Sequence, residues 1–219
     1  THTHTHTHIP KGHFYLTKRL LSLVQRAKGG RIVHLSSSAH RFAPKQGVFL
    51  TQRAHNSFQT YGRIERYAMA KLANLVFAKE LQRRIDKFAA AAAAASDAEG
   101  GHDEHRIFSN ACHPGIVATH ITRGAEDGFP TMMQPFIRGA IDFRNRCFAY
   151  DPEAACLTVL YLATSNEVET NGIRGEYFVP IAELEHPAHK LAFSPAFGSA
   201  LWEFSENLCA RAMEKKHGH

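Results

Sequence analysis

The 219-residue sequence predicts an α/β fold, in which helices alternate with the strands of a parallel sheet. Two apolar runs of strand length, residues 31–35 and 106–112, lie between segments whose hydrophobic residues recur at helical spacing. The composition, with 44% hydrophobic and 21% charged residues, is ordinary for a globular domain. A chain of this length can bury one sizeable hydrophobic core.

The first predicted elements are a helix, a strand and a long loop. Hydrophobic residues recur at helical spacing up to Gly29-Gly30, which end the first helix. They are Phe14, Leu16, Leu20, Leu21, Leu23 and Val24. The strand 32–35 follows directly. Residues 39–61 are polar and contain proline and glycine, which predicts a long loop over a site.

A second helix is predicted from about residue 64 to residue 84. Its inward-facing residues are Leu72, Leu75, Val76, Ala78 and Leu81. The alanine tract 89–95 prolongs the helix by a turn or two, because alanine has the best helix propensity. The acidic, glycine-rich residues that follow predict a mobile insertion over 89–105. A second buried strand, 106–112, ends at residues 113–115, where proline and glycine break the ladder.

The last third of the chain predicts three further elements behind a covering segment. Residues 119–150 combine glycine, proline and apolar patches, which predicts a flap or short helices over a pocket. A helix over 154–163 is expected because an Asp-Pro-Glu sequence precedes it, with proline at the first helical position. Residues 175–179 predict a third strand. A final helix is expected over 195–213, with Trp202 as a packing anchor.

Charge and cysteine content exclude several classes of function. The formal charge of +6 and the pI near 9.3 suit anionic ligands, but the basic residues are scattered. Because basic and aromatic residues do not interleave, we expect no nucleic-acid partner. The four cysteines match neither a zinc pattern nor a disulfide framework, so a reducing, intracellular compartment is expected. No apolar run reaches the length of a membrane span, and attachment to a membrane surface is left open.

Threonine and histidine alternate over the first eight positions of the sequence. Such a tail could bind a metal, because alternate residues of an extended segment share a face. A translated AC dinucleotide repeat yields the same tract, and we favour this explanation. Residues 1–11 are therefore expected to be a low-complexity tract outside the fold, and no metal site is predicted.

Tyr67 and Lys71 lie one helical turn apart in the second helix and offer acid–base chemistry. The ordinary pKa of a tyrosine is about 10, and a nearby cation favours the phenolate. A lysine four residues on lies on the same helical face. A serine hydroxyl from residues 36–38, at the end of the first strand, can hold a substrate oxygen. The same spacing also fits an amphipathic helix with a half-buried tyrosine and a solvated lysine.

Four sequence segments occur in a distinctive order along the chain. They are GHFYLT (12–17), RIVHLSSSAH (31–40), YAMAKLAN (67–74) and HPGIVAT (113–119). Three tail segments follow: DPEAA (151–155), GEYF (175–178) and LWEFS (201–205). This order resembles the short-chain dehydrogenase/reductase superfamily, especially its retinol-dehydrogenase-like branch, from residue 12 to about residue 209. It implies a partial Rossmann-like, doubly wound parallel sheet that keeps the last three strands.

The resemblance implies an oxidoreductase that uses NADP (or NAD) on a small lipophilic aldehyde, ketone or alcohol. Ser37 aligns with the family's catalytic serine, which positions the carbonyl oxygen, and Ser36 and Ser38 are the alternatives beside it. Tyr67 is expected to act as general acid or base, and Lys71 to bind the nicotinamide ribose and lower the tyrosine's pKa. The residues expected to contact the cofactor are Tyr67, Lys71, Pro114, Gly115, Ile116 and Thr119.

Two features of the family are missing from the sequence. No glycine-rich pyrophosphate turn precedes Tyr67, and Ile9 stands where the family's catalytic asparagine is expected. We therefore expect the C-terminal part of a reductase, with a domain over 12–213, a tail over 214–219 and impaired activity.

Two further expectations concern partners. If the chain is not catalytic, it is expected to be a binding module that works through apolar surface left exposed by the missing part. The family also forms homodimers through the helix that carries the tyrosine and the lysine, so a homodimer is a further expectation.

Overall fold

The three-dimensional structure, a computed structural model, describes residues 11–47, 50, 61–95, 106–115, 131–148 and 150–217. Its helices are α1 (Lys11–Val24), α2 (Arg63–Ala95), α3 (Gln134–Phe148), α4 (Pro152–Thr164), α5 (Glu167–Thr170) and α6 (Pro195–His217). Short 3₁₀ helices span Ser38–Phe42 and Lys190–Phe193. The strands are β1 (Gly30–Leu35), β2 (Ile107–Cys112), β3 (Tyr177–Val179) and β4 (Glu183–Leu184). None of the described helices combines the length and the hydropathy that a bilayer span requires.

The strands form one sheet in the order β1-β2-β3-β4. β1 and β2 pair in parallel, from Gly30 opposite Ile107 to Leu35 opposite Cys112, and β3 joins β2 in parallel. These three strands and the helices around them confirm the predicted α/β class. β4 pairs antiparallel to β3, so the sheet is mixed and has one strand more than expected. A strand of two exposed residues contains no apolar run, and no sequence pattern indicates it.

Helices cover both faces of the sheet. On one face, Leu72 of α2 shares a hydrophobic cluster with Ala111 and Tyr177 of the strands. On the other face, Leu162 of α4 shares a cluster with Phe108. The α2 residues predicted to face inward are all buried: Leu72, Leu75, Val76, Ala78 and Leu81. Because each buried leucine contributes about 1.5–3 kcal/mol, this face holds α2 against the sheet.

An aromatic cluster joins α1 and α6 to α2. The ring of Phe14 in α1 lies 5.0 Å from that of Trp202 and 5.2 Å from that of Phe77, between centroids. Trp202 is buried in this cluster and is the packing anchor that the sequence predicts. The opposite side of α1 leaves Leu16 and Leu23 exposed, and β1 is an edge strand of the described sheet.

The alanine tract prolongs α2, as the sequence predicts, and α6 runs past its predicted end. The 33 residues of α2 continue beyond residue 84 and through the whole tract to Ala95. These alanines are exposed, so helix propensity and not packing extends the helix. α6 continues past residue 213 to His217.

Parts of three predicted segments lie outside the described residues. They are 48–49 and 51–60 of the predicted loop, 96–105 of the predicted insertion, and 116–130 and 149 of the predicted flap. Within the described parts, the loop contains the 3₁₀ helix Ser38–Phe42 and the flap contains α3.

Candidate active site

The carboxyl ends of β1 and β2 form the edge around which the predicted site residues are arranged. Leu35 pairs with Cys112 at the last register position, so residues 36–38 and 113–115 leave the sheet at the same edge. The hydroxyl of the first of these serines donates to the carbonyl oxygen of Lys71, at 2.8 Å, which brings α2 to this edge. In open parallel sheets, ligands bind outside the carboxyl ends of the strands.

Lys71 lies between the end of β1 and the ring of Tyr67. Its Nζ donates to the carbonyl oxygen of Leu35 at 3.3 Å and lies 5.5 Å from the centroid of the Tyr67 ring. Burial lowers the pKa of the Lys71 ammonium, because the charged form loses contact with water. Tyr67 itself is 43% exposed, so its phenol is accessible to a ligand. The geometry thus sets a partly desolvated cation beside an accessible phenol.

Asn74 continues the helical face that carries Tyr67 and Lys71, and sequence reasoning did not single it out. Its Nδ2 donates to the Leu35 carbonyl oxygen at 2.9 Å, so this oxygen accepts from both Asn74 and Lys71. Its Oδ1 is buried and has no hydrogen-bond partner within the described part of the chain. A buried amide oxygen without a donor is costly, and water or a ligand group can satisfy it. The sequence could have indicated Asn74 by its position, because it follows the tyrosine by seven residues and lies on the same helical face.

The hydroxyl groups of Ser36 and Ser37 have different environments in the structure. The hydroxyl of Ser36 is buried and bonded to the carbonyl of Lys71. Ser37 caps the 3₁₀ helix Ser38–Phe42, and its Oγ accepts from the N–H of Ala39 at 3.2 Å. That contact uses a lone pair of the Ser37 oxygen and leaves its hydrogen for donation. Within the described residues, no hydrogen bond joins the Ser37 hydroxyl to Tyr67 or Lys71.

The segment after β2 makes a tight turn at Gly115. Its φ is +83°, and a Cβ there would lie 2.6 Å from a ring carbon of Tyr150 and 2.9 Å from Cγ of Pro180. Only glycine fits this conformation and this close approach. The N–H of Gly115 donates to Nδ1 of His113 at 2.9 Å, which closes the turn around Pro114. Two predicted contacts of the cofactor lie outside the described residues: Ile116 and Thr119.

The donors at this edge suit one end of a nicotinamide nucleotide. A lysine ammonium has three N–H donors, and the Leu35 carbonyl occupies one donor of Lys71. The remaining donors match the hydroxyl groups of a ribose. No glycine-rich turn stands upstream of Tyr67 in the sequence to hold a pyrophosphate. The residues at this edge therefore fit the ribose end of such a ligand.

A groove of about 340 Å³ lies along the middle of α2, between residues 76 and 86, and none of the predicted site residues lines it. Charged side chains line it, and they form ion pairs or hydrogen bonds with other groups of the chain. Arg83 binds Glu80 at 2.7 Å, and Arg174 lies 3.3 Å from Asp86. Lys79 donates to a backbone carbonyl at 2.7 Å. These mutual pairings describe a structural ion-pair network and not a second reaction centre.

Comparison with known proteins gives the same class as the geometry. No protein-family model matches the chain. The chain is 31% identical over 195 residues to retinol dehydrogenase 14 of Homo sapiens, covering 89% of the chain and 48% of that protein. It is 28% identical over 202–204 residues to short-chain dehydrogenases that include TIC 32 B, chloroplastic, of Brassica napus, covering 90% of the chain and 54% of that protein. The chain thus spans about half the length of the curated relatives that it matches.

A solved structure agrees with these relatives. The crystal structure of an uncharacterized protein from Mycobacterium paratuberculosis superposes with a TM-score of 0.52 at 25% identity, over 91% of this chain and 56% of that one. The mixed sheet, its flanking helices and this neighbour define a Rossmann-like α/β fold. Over about nine tenths of its length the chain is similar to short-chain dehydrogenases/reductases, which confirms the resemblance. The roles of individual site residues stay predictions.

Proposed function

We propose that this chain carries the hydride-transfer part of an NADP- (or NAD-) dependent oxidoreductase site. The observation that supports it best is the position of Lys71, whose ammonium lies between the Leu35 carbonyl and the Tyr67 ring. A solvated surface lysine would extend into water and keep an ordinary pKa. Here burial lowers the pKa, so the charge is held beside the phenol at a cost in solvation.

Each of three side chains has a separate task in the proposed reaction. Tyr67 gives its phenolic proton to the carbonyl oxygen in reduction and takes it back in oxidation. The Lys71 cation stabilises the phenolate that remains. Ser37 donates its hydroxyl hydrogen to the same substrate oxygen, while its lone pair stays on the Ala39 amide. The nicotinamide, when bound, supplies or accepts the hydride.

Lys71, Pro114 and Gly115 are the described residues that we propose for holding the nicotinamide end of the cofactor. Within the described residues, Lys71 keeps donors beyond the one that binds Leu35, and the glycine turn presents backbone without a side chain. Ile116 and Thr119 complete the proposed contacts by sequence alone. We further propose a lipophilic carbonyl compound or alcohol as substrate. The support for this is the name of one relative, retinol dehydrogenase 14.

A thermal melt with and without NADPH tests the proposal on the purified chain. At a hundredfold excess over its dissociation constant, the cofactor should stabilise the native state by about 2.7 kcal/mol. The Tyr67→Phe variant should bind NADPH equally well and lose turnover of a lipophilic aldehyde. Tyr15→Phe, which changes an exposed tyrosine on α1, is the matched control and should keep turnover. If Tyr67→Phe keeps its turnover, or if Tyr15→Phe loses it to the same extent, Tyr67 is not the acid.

A second candidate function rests on the outer side of α1. Leu16, Leu20 and Leu23 are between 42% and 57% exposed, and β1 offers an unpaired edge within the described sheet. Contiguous exposed apolar residues are typical of an interaction surface. A non-catalytic binding module would melt identically with and without NADPH, and would keep its partner when Tyr67 is changed to phenylalanine.

A further inference from the structure

The buried Tyr177 of β3 has a histidine from each side of the predicted site packed against its ring. His40, from the 3₁₀ helix after β1, meets it edge-on with centroids 5.3 Å apart. His113, directly after β2, stacks on it with centroids 6.1 Å apart. His40 is fully buried, and the Tyr177 hydroxyl is buried and has no hydrogen-bond partner among the residues that the structure describes. Both histidines lie beside residues to which the proposed function gives a task, Ser37 and Gly115.

The hydrogen bonds of His40 determine its protonation. Its Nε2 accepts from the backbone N–H of Ala188 at 3.1 Å, so Nε2 carries no proton. Its Nδ1 lies 2.8 Å from the carbonyl oxygen of Ser37, which can only accept, so Nδ1 carries the proton. The ring is therefore neutral with its hydrogen on Nδ1. A second proton would set two N–H groups against each other at Ala188.

His113 requires the opposite arrangement. Its Nδ1 accepts from the N–H of Gly115 at 2.9 Å, so this nitrogen carries no proton. A neutral His113 therefore has its hydrogen on Nε2. The two rings that contact Tyr177 differ in tautomer, and each one binds the backbone of a predicted site segment.

We propose that His40 and His113 are positioning residues for the predicted site: as neutral rings of opposite tautomer on Tyr177, they hold Ser37 and Gly115. The proposal rests on the proposed function for the task of those two residues. His40 also ties the Ser37 segment to Ala188, which is 148 residues further along the chain. His113 holds the amide of the glycine that turns the chain beneath Tyr150.

Burial and the surrounding charges keep both rings neutral at physiological pH. Burial is the main cause that lowers the pKa of His40; Arg41 and His189 lower it further, whereas the hydrogen bond to the Ser37 backbone and the charge of Glu185 oppose the shift. Burial, with His40 and Arg41 as neighbours, lowers the pKa of His113 to about 4. Because both shifts are downward, the two hydrogen-bond acceptors persist as the pH falls through 6.5. They are lost only as the pH approaches the lowered values.

Long-range ¹H–¹⁵N correlation spectra of the full chain test the tautomers directly. Between pH 7.5 and 6.5, we expect His40 to show a protonated Nδ1 with a bare Nε2, and His113 to show the reverse. His186, at an exposed position, serves as the reference ring in the same samples. The proposal is overturned if His40 and His113 share one tautomer, or if either is mainly doubly protonated in this range.

Two variants at His113 separate positioning from bulk packing. Asparagine places an acceptor oxygen close to the position of Nδ1, whereas leucine fills space without an acceptor. His113→Leu should lower the exchange protection of the Gly115 amide roughly fivefold to tenfold, the range expected for one hydrogen bond. His113→Asn should restore that protection. Equal protection in the native chain and His113→Leu, or loss in both variants, would overturn the assignment.

NADPH binding to the same variants links the cluster to the proposed site. If the proposed function holds, His113→Leu should weaken NADPH binding by a similar factor, and His113→Asn should rescue it. If the native chain binds no NADPH, the proposed function fails, while the tautomers and the Gly115 amide still decide the positioning. Weakened binding in His113→Asn as well as in His113→Leu would count against His113 as a positioning residue.

Discussion

The hydroxyl of Ser36 donates a hydrogen bond to the backbone carbonyl oxygen of Lys71 across 2.8 Å. A second hydrogen bond joins the same two segments: Nζ of the lysine donates to the carbonyl of Leu35, the residue before that serine. The end of β1 and the first turns of α2 are thus joined in both directions. This double link sets how far Tyr67 stands from the edge of the sheet, and its strength can be measured.

Ser36→Ala should lower the free energy of unfolding by about 1 kcal/mol, the value of one ordinary buried hydrogen bond. The loss is moderate because the Lys71 carbonyl keeps its partner inside the helix. Ser38→Ala, two residues on, is the control and should change the free energy by less than about 0.5 kcal/mol. Urea unfolding of the three proteins measures both values. Equal midpoints for Ser36→Ala and the native chain would contradict the role given to this bond.

Lys71→Met should raise thermal stability at neutral pH, because it removes a charge whose burial is unfavourable. The folded-state pKa of Lys71 lies below the value for the unfolded chain, so the unfolded chain binds the proton more strongly. Native stability should therefore rise relative to the variant as the pH increases towards 10.5. Lys87→Met, an exposed lysine on the same helix, should show neither effect. A destabilised Lys71→Met would mean that the lysine is a structural donor only.

Gly115→Ala should destabilise the chain by more than a left-handed backbone alone can explain. An alanine in that region costs about 1–2 kcal/mol before any contact is counted. Gly172→Ala isolates this part, because Gly172 has φ +61° and no atom within 4 Å of its added Cβ. At Gly115, the Cβ also meets Tyr150 and Pro180, so the loss should be larger. Denaturation midpoints measure the loss of stability in each variant. Equal losses would show that Tyr150 and Pro180 move away from the added Cβ without a measurable cost in stability.

His34→Leu should make the chain less sensitive to acid. His34 packs edge-on against Phe77, and its Nε2 is buried with no hydrogen-bond partner in the described residues. Burial, with a contribution from His13, lowers the pKa of His34 to about 4, whereas an unfolded histidine titrates near 6.5. The unfolded chain takes up the proton first, so stability falls as the pH drops from 6.5 to about 4.

The leucine variant removes this dependence and the unpaired nitrogen together. Urea midpoints at pH 7 and pH 5 should therefore lie closer together than in the native chain. His186→Leu, at an exposed position, should keep the native difference between the two pH values. An unchanged difference in His34→Leu would assign the acid sensitivity to other groups.

Most of the fold follows from patterns that are local in sequence. The strand at β1 and the inward face of α2 are apparent because apolar residues repeat at a fixed period. The start of α4 is apparent because Asp151 caps it, with its carboxylate on the amide of Ala154 at 2.6 Å. β4 escapes such reasoning, since its pairing with β3 depends on a neighbouring strand and not on its own residues.

The candidate site divides in the same way. The proximity of Tyr67 and Lys71 follows from helical geometry, and the structure shows it at 5.5 Å. The engagement of Ser36, the unpaired oxygen of Asn74 and the bond between His40 and Ala188 are long-range contacts. No spacing rule reports them, because each joins segments that meet only after the sheet has formed.

The length of α2 insulates the site from change at its far end. Tyr67 lies near the start of this helix and Ala95 at its end, so about 42 Å of helix separates them at 1.5 Å per residue. The side chains of the alanine tract are exposed to solvent and are not part of the hydrophobic core. Each alanine gained or lost there rotates the outgoing chain by about 100° and shifts it by 1.5 Å, without disturbing Tyr67. Evolution can therefore change the length of the tract, and with it the direction of the chain that follows, without altering the proposed catalytic residues.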